Sequence, residues 1–130
     1  TGFDNSRMNL IVAVLEKRCD YFFSNLDTYL NVVGGFRLDE PASDLAVALS
    51  LVSGLKDFVV PDDVIAFGEI GLAGEVRAVP CAEMRVAEAA RLGFGTCILP
   101  YRCLKSLENN KYNIRLIGVH NIRQAVDALK

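Results

Sequence analysis

Apolar residues recur at helical spacing in four parts of the chain. The first stripe is formed by Met8, Ile11, Val12 and Leu15, which predicts an amphipathic helix. The run 45–55 is apolar on nearly every side, so it predicts a helix that is buried from several directions. An alanine-rich helix over 82–92 ends at a glycine. A last helix over 122–129 starts at Asn121 and Gln124, which have the spacing of a capping pair.

Shorter runs rich in β-branched residues predict strands. These runs are 26–33, 64–70, 75–79, 97–99 and 114–119. Only the four residues from Gly71 to Gly74 separate the second run from the third, and such a short glycine-bounded link predicts a hairpin. Because strands and helices interleave while one adjacent pair is a hairpin, the predicted fold class is α+β. We expect a two-layer domain in which helices pack on a mixed sheet.

Composition describes one compact domain over residues 1–130. Hydrophobic residues make up 52% and charged residues 23%, which excludes a disordered segment. No apolar run approaches the roughly 20 residues that span a bilayer, and the first residues lack the pattern of a signal peptide, so we expect a cytoplasmic protein without membrane contact. The net charge of -2 argues against a strong isolated DNA-binding module. It leaves room for a basic stripe on one face of an oligomer.

The cysteines do not have the spacing of metal ligands. They are Cys19, Cys81, Cys97 and Cys103, and His120 is the only histidine in the chain. We therefore expect no metal site and free thiols that are buried in a reducing cytosol. His120 precedes the last helix, where a surface or capping role is expected.

Two segments read together resemble the scaffold of a Lon-type Ser-Lys peptidase domain. They are Leu38-Asp39-Glu40-Pro41-Ala42-Ser43-Asp44 and Gly68-Glu69-Ile70-Gly71-Leu72-Ala73-Gly74. The resemblance implies the fold of the Lon-protease catalytic domain, which is shared by the second domain of ribosomal protein S5. The family's catalytic serine matches Ala42, and its lysine matches Glu83. Since neither residue can form the hydroxyl and amine pair of that chemistry, we expect no peptidase activity.

A narrower resemblance is to the C-terminal domain of the bacterial RadA (Sms) family of DNA repair proteins. The matching segments include 6–17, Asn31-Val32-Val33-Gly34-Gly35, 38–48 and 68–80, in the family's order. The resemblance implies an excised part of a longer protein whose zinc module and RecA-like ATPase are absent from this chain. ATP, magnesium and zinc would then belong to the absent parts, and this domain would need no cofactor.

The family's activity implies a role for this domain. RadA-type proteins are DNA-dependent ATPases that form hexameric rings and promote branch migration of recombination intermediates. We therefore expect a scaffold that forms a ring and positions DNA, with a recombinase or helicase as a further partner. The alternatives are a diverged peptidase that uses Ser43 with Lys56 or Lys105, and a module that binds only proteins.

The basic residues near the predicted hairpin and after the strand 97–99 are the candidates for DNA contact. The candidates are Arg77, Arg85, Arg91, Arg102 and Lys105. Tyr101 precedes two of them, and an aromatic ring beside cations can stack on a base while the cations contact phosphates. A solvated loop is the simpler interpretation of the same segment.

Overall fold

The computed structural model describes residues 10–15, 44–56, 58–107 and 112–129. Residues 10–15 are helical, and Ile11, Val12 and Leu15 are buried there, which confirms the predicted stripe over this part. The predicted strand 26–33 lies outside the described residues. No helix in these ranges has both the length and the hydrophobicity needed to cross a membrane.

Helix α1 (Asp44–Lys56) is the buried helix that the sequence predicts. Its buried side chains are those of Asp44, Leu45, Val47, Ala48, Leu49, Leu51 and Val52. The Asp44 Oδ2 atom accepts a hydrogen bond from the Ile70 N–H at 3.1 Å, and the Leu45 N–H donates to the Gly68 carbonyl at 3.0 Å. These two bonds fix the start of α1 against the segment 68–70.

Five strands form two sheets among the described residues. They are β1 (Val64–Ala66), β2 (Glu69–Ile70), β3 (Val76–Arg77), β4 (Thr96–Pro100) and β5 (Arg115–Val119). One sheet is parallel with the order β1–β4–β5, while β2 and β3 form an antiparallel pair. The α+β class and the hairpin are therefore confirmed. The described part differs from the prediction because its parallel and antiparallel pairs belong to separate sheets.

The predicted strand 64–70 is broken at Gly68. This glycine has φ +155°, and a Cβ atom added to it would lie 2.8 Å from Cγ1 of Val76. Only glycine tolerates both the conformation and the close approach. The chain therefore leaves the parallel sheet after β1 and turns into the hairpin, so the prediction of one continuous strand is wrong.

Helix α2 (Ala82–Arg91) ends at the predicted glycine. Gly93 has φ +96°, its N–H donates to the Ala90 carbonyl, and the Phe94 N–H donates to the Ala89 carbonyl, both at 3.1 Å. These are the two bonds of a Schellman motif, which satisfies carbonyls at the end of a helix.

Helix α3 (Ile122–Leu129) begins at the predicted capping pair. The Asn121 Oδ1 atom accepts from the Gln124 N–H at 2.9 Å, and the Gln124 Oε1 atom accepts from the His120 N–H at 2.7 Å. The capping prediction is confirmed. His120, two residues before α3, is held through its backbone N–H, which leaves its imidazole ring available.

Apolar side chains cover both faces of the parallel sheet. Ile98 belongs to a core with α1, α3 and residues 10–15, whereas Cys97 and Leu99 belong to a second core with α2. A 3₁₀ helix (Tyr101–Leu107) also packs in the second core through Cys103 and Leu107. Neighbouring residues of a strand point to opposite faces, so the described part has three layers where the sequence predicts two. Parallel strands are usually buried in this way.

The prediction of buried thiols holds for two of the three cysteines that the structure describes. Cys97 and Cys103 are buried, whereas Cys81 is exposed. Cys81 lies directly before α2 with φ 62° and ψ 37°, a left-handed conformation. The prediction is therefore wrong for Cys81, because the turn into α2 places its side chain on the surface.

Candidate nucleic-acid interface

A cleft of about 450 Å³, here called the first cleft, lies at the carboxyl ends of β4 and β5. Its lining residues are Glu75, Val76, Arg77, Ala78, Tyr101, Arg102, Val119 and His120. Pro100 and Val119 are partners in the parallel register, so the residues that follow them, Tyr101 and His120, meet at the same edge of the sheet. This edge is the usual place for ligand sites in α/β sheets.

Tyr101 and His120 form a ring pair in the first cleft. Their ring centroids are 4.3 Å apart, and the two planes are inclined by 31°. Both residues are exposed, and Tyr101 retains 51% of its accessible surface. Because the two rings face each other, a further aromatic ring can stack on the outer face of one of them.

Arg77 enters the first cleft from β3. Its Nη2 atom lies 3.1 Å and its Nε atom 3.2 Å from Oε2 of Glu75, and the second carboxylate oxygen accepts from the Ala73 N–H at 3.0 Å. The hydrogen bond from its own backbone N–H, joined by those from Ala73 and Arg77, lowers the pKa of Glu75 below its usual value. Glu75 therefore stays ionised and holds the guanidinium at the rim of the cleft.

A second cleft of about 530 Å³ lies beside the first and is lined by Tyr101, Arg102, Leu104 and Lys105. Tyr101 and Arg102 contribute to both clefts, so the two form one continuous surface. Within the described ranges, neither Arg102 nor Lys105 has a carboxylate partner. Their charges are therefore free to contact an anionic ligand.

Gly118 of β5 allows the 3₁₀ helix to lie close to the sheet. A Cβ atom added to Gly118 would overlap the Leu104 side chain and would lie 3.1 Å from the Cα atom of Tyr101. The absence of a side chain at this position thus sets the height of the Tyr101 backbone above the sheet.

Three of the five predicted basic candidates share this surface. Arg77 and Arg102 line the first cleft, and Lys105 lines the second. Arg85 and Arg91 on α2 line neither cleft. The Arg85 guanidinium lies 5.9 Å from the centroid of the Phe67 ring, with its Nε donating to the Pro80 carbonyl at 3.1 Å.

Arg91, the remaining candidate, forms an ion pair on α2. Arg91 donates to both carboxylate oxygens of Glu88, one turn earlier on the same helix. This partner raises the pKa of Arg91, through their hydrogen bond first and through charge attraction second. Arg91 therefore serves as a neutralised surface cation, apart from the two clefts.

The matched peptidase positions are only partly described. Ala42 and Ser43 lie outside the described residues, whereas Glu83 is exposed in the first turn of α2. Within the residues that the structure does describe, no three His, Cys, Asp or Glu side chains are grouped as metal ligands. The chemistry that this part of the chain offers is stacking and anion binding.

Sequence reasoning missed two members of the first cleft. His120 was expected to have a surface or capping role, and its backbone does join the cap of α3, but its ring also stacks on Tyr101. Glu75 was not singled out either. The signal for His120 was the end of a strand, because the residues that follow two parallel neighbours come together at one edge.

The fold and the clefts define an α+β domain with a basic and aromatic surface. The profile of the family described as "Subunit ChlI of Mg-chelatase" matches residues 6–103, more than half of the chain, and the chain belongs to this family.

Individual relatives carry a different name. The chain is 44% identical over 128 residues to the DNA repair protein RadA of Aquifex aeolicus, covering 98% of the chain and 28% of that protein. It is 46% identical over 127 residues to RadA of Bacillus subtilis, covering 97% and 27%. It is 40% identical over 130 residues to RadA of Mycolicibacterium smegmatis, covering 100% and 27%. The resemblance to RadA is confirmed, and the chain spans little more than a quarter of these relatives.

Proposed function

We propose that this chain is a non-proteolytic, Lon-like domain of a RadA-type DNA-dependent ATPase that acts in DNA repair and promotes branch migration of recombination intermediates. The domain serves as an oligomerisation and DNA-positioning scaffold. The observation that carries the proposal is the position of Arg102 and Lys105, which have no carboxylate partner among the described residues, on one continuous pair of clefts. ATP, magnesium and zinc belong to parts of the protein outside this chain.

The charge of the surface supports DNA contact in spite of the net charge of -2. Arg102 and Lys105 are exposed and without carboxylate partners among the described residues. Each phosphate contact on a single strand adds about -0.7 to the slope of log K against log salt. Arg102 and Lys105, the two cations of the clefts without a carboxylate partner, therefore predict a slope of about -1.4 for one copy of the domain.

DNA binding is tested by fluorescence anisotropy with a labelled oligonucleotide at several salt concentrations. The double substitution Arg102→Ala/Lys105→Ala should weaken binding and reduce the slope by about 1.4. The matched control is Arg91→Ala, since Arg91 is exposed but ion-paired and lies in neither cleft. An unchanged slope in the double variant, or the same loss in the control, would refute this surface as the DNA contact. Absence of any DNA binding would leave the interaction-module alternative.

The proposal of a non-proteolytic domain is supported by Ala42 and Glu83 at the matched catalytic positions. A serine-directed acylating reagent, followed by mass spectrometry of the intact chain, provides the test. No adduct is expected. Acylation of Ser43, lost in Ser43→Ala, would establish a diverged peptidase instead.

Assembly of several copies into an oligomeric ring is supported by the exposed apolar side chains of the described residues. Leu72 is 67%, Met84 71% and Leu92 57% exposed, and exposed apolar groups are suited to subunit contacts. Light scattering at several protein concentrations should give a mass of about six chains, consistent with a closed cyclic assembly. A monomer at every concentration would contradict assembly by this domain alone.

A further inference from the structure

Positive charge accounts for phosphate contact at this interface, but it does not account for the ring pair of Tyr101 and His120. Tyr101 and His120 lie with centroids 4.3 Å apart, and Tyr101 keeps 51% of its surface exposed. A tyrosine whose only role is structural is usually buried, and its hydroxyl group then forms a hydrogen bond. Here Tyr101 lies at the boundary of the two clefts, next to Arg102, which lines both.

We propose that the first cleft binds one unpaired nucleotide, whose base stacks on the Tyr101–His120 ring pair and whose phosphate is held by Arg102. This inference rests on the proposed DNA-binding function and deepens it, because it makes the domain selective for unpaired strands. Arg77 also lies at the rim, but it is paired with Glu75 at 3.1 Å, so Arg102 is the cation of this cleft that contacts the phosphate.

The selectivity follows from the geometry of bases. In a duplex both faces of each base are covered by its neighbours, so an aromatic side chain can stack only on a base that is unpaired or turned out of the helix. The cleft of about 450 Å³ has the size of a small-ligand site. This volume is sufficient for a single nucleotide, and the need for an uncovered base face excludes a paired one.

A nucleotide of this kind has two sources, a DNA strand or a free nucleotide. The continuity of the clefts favours the strand. Lys105 lines the adjoining second cleft together with Arg102, so a second phosphate of a strand has a cation to contact there. A free nucleotide would leave that cation unused.

The test compares three labelled oligonucleotides of equal length by anisotropy: a single strand, its duplex, and the same single strand with abasic sites. The 130-residue chain is expected to bind the normal single strand most tightly. Tyr101→Ala should weaken binding to that strand by about 5- to 150-fold, the range of one stacked base. It should leave binding to the abasic strand unchanged, since no base is there to stack.

Two further variants guard against a folding artefact. Tyr101→Phe keeps the ring and should restore most of the lost affinity, whereas His120→Ala should reproduce part of the loss. Arg91→Ala is the control for a surface change outside the clefts. Deoxyadenosine monophosphate is added as a competitor to identify the source of the nucleotide.

The outcomes separate the two proposals. Binding that is equally tight for duplex and single strand, or equally weakened by Tyr101→Ala on normal and abasic strands, would overturn the stacking site while DNA binding stands. Binding of the free nucleotide without any strand binding would support the site and overturn the DNA function. If neither strand nor nucleotide binds, both proposals fail.

Discussion

Replacement of Gly118 by alanine tests whether the close packing of the 3₁₀ helix on β5 sets up the ring pair. An added Cβ atom would overlap Leu104, lying 3.0 Å from its Cγ atom, and would lie 3.1 Å from the Tyr101 Cα atom. The end of the leucine side chain can rotate away. The backbone at Tyr101 must shift by a few tenths of an ångström, and with it the ring that stacks on His120.

The expected cost is a difference between two effects. Overpacking a well-packed position costs about 1–3 kcal/mol. Alanine regains about 0.5–1 kcal/mol over glycine in a strand, because less backbone entropy is lost on folding. The net loss is therefore about 0–2.5 kcal/mol, with about 1 kcal/mol as the central expectation. Affinity for single-stranded DNA should fall with it, by about 2- to 10-fold, a fraction of one stacked base.

Urea unfolding of Gly118→Ala gives the free energy, and anisotropy gives the affinity. The matched control is the same substitution in a Leu104→Ala background, where the clash with the leucine is removed. There the penalty of Gly118→Ala should shrink by about 1 kcal/mol, a coupling typical of side chains in contact. If Gly118→Ala is as stable as the parent chain and binds DNA equally well, the packing argument is wrong.

Three further predictions follow from single residues. Asp44→Ala should lower the free energy of unfolding by about 1–3 kcal/mol in urea titrations, because it leaves the buried Ile70 N–H without its acceptor, whereas Asp44→Asn keeps an acceptor and should cost less. Cys81→Gly should raise it by about 0.5–1 kcal/mol, and Cys81→Val should lower it, because φ is 62° there. Burial, with a smaller effect of Cys103, raises the pKa of Cys97 to about 12, so the folded state keeps a proton that the unfolded chain loses above its ordinary value of 9.0. The free energy of unfolding should therefore fall as the pH rises from 9.0 toward about 12, by at most about 1.4 kcal/mol per pH unit from this thiol. Cys97→Ala should reduce this pH dependence when unfolding is measured at two pH values in that range.

The helices were the most predictable part of the fold. The stripes in 82–92 and 122–129, the terminal glycine at Gly93 and the capping pair before α3 all act locally, within one or two turns. Local signals of this kind do not depend on what packs against the helix. The described helices accordingly begin and end within a residue or so of the predicted bounds.

The layering of the domain was less predictable, because it depends on contacts that are distant in sequence. The break at Gly68 is required by the side chain of Val76 and by the positive φ. Neither was visible in an apolar run that reads as one strand. Likewise, Cys97, Ile98 and Leu99 form a short apolar run that fits burial on both faces, but the run alone does not say which elements cover each face.

The difference between local signals and contacts distant in sequence also explains which basic residues line the clefts. Charge and position in the chain made all five candidates equal, and the structure separates them by what surrounds each one. The guanidinium of Arg85 lies over Phe67, and those of Arg77 and Arg91 form ion pairs with Glu75 and Glu88. Arg102, in contrast, follows directly after a strand end and has no carboxylate partner among the described residues. Once β4 and β5 are paired in parallel, the residues after them must share one edge. A cation or aromatic residue that follows a predicted parallel strand is therefore a better candidate for ligand contact than one on the exposed side of a helix, where an oppositely charged residue one turn away can neutralise it.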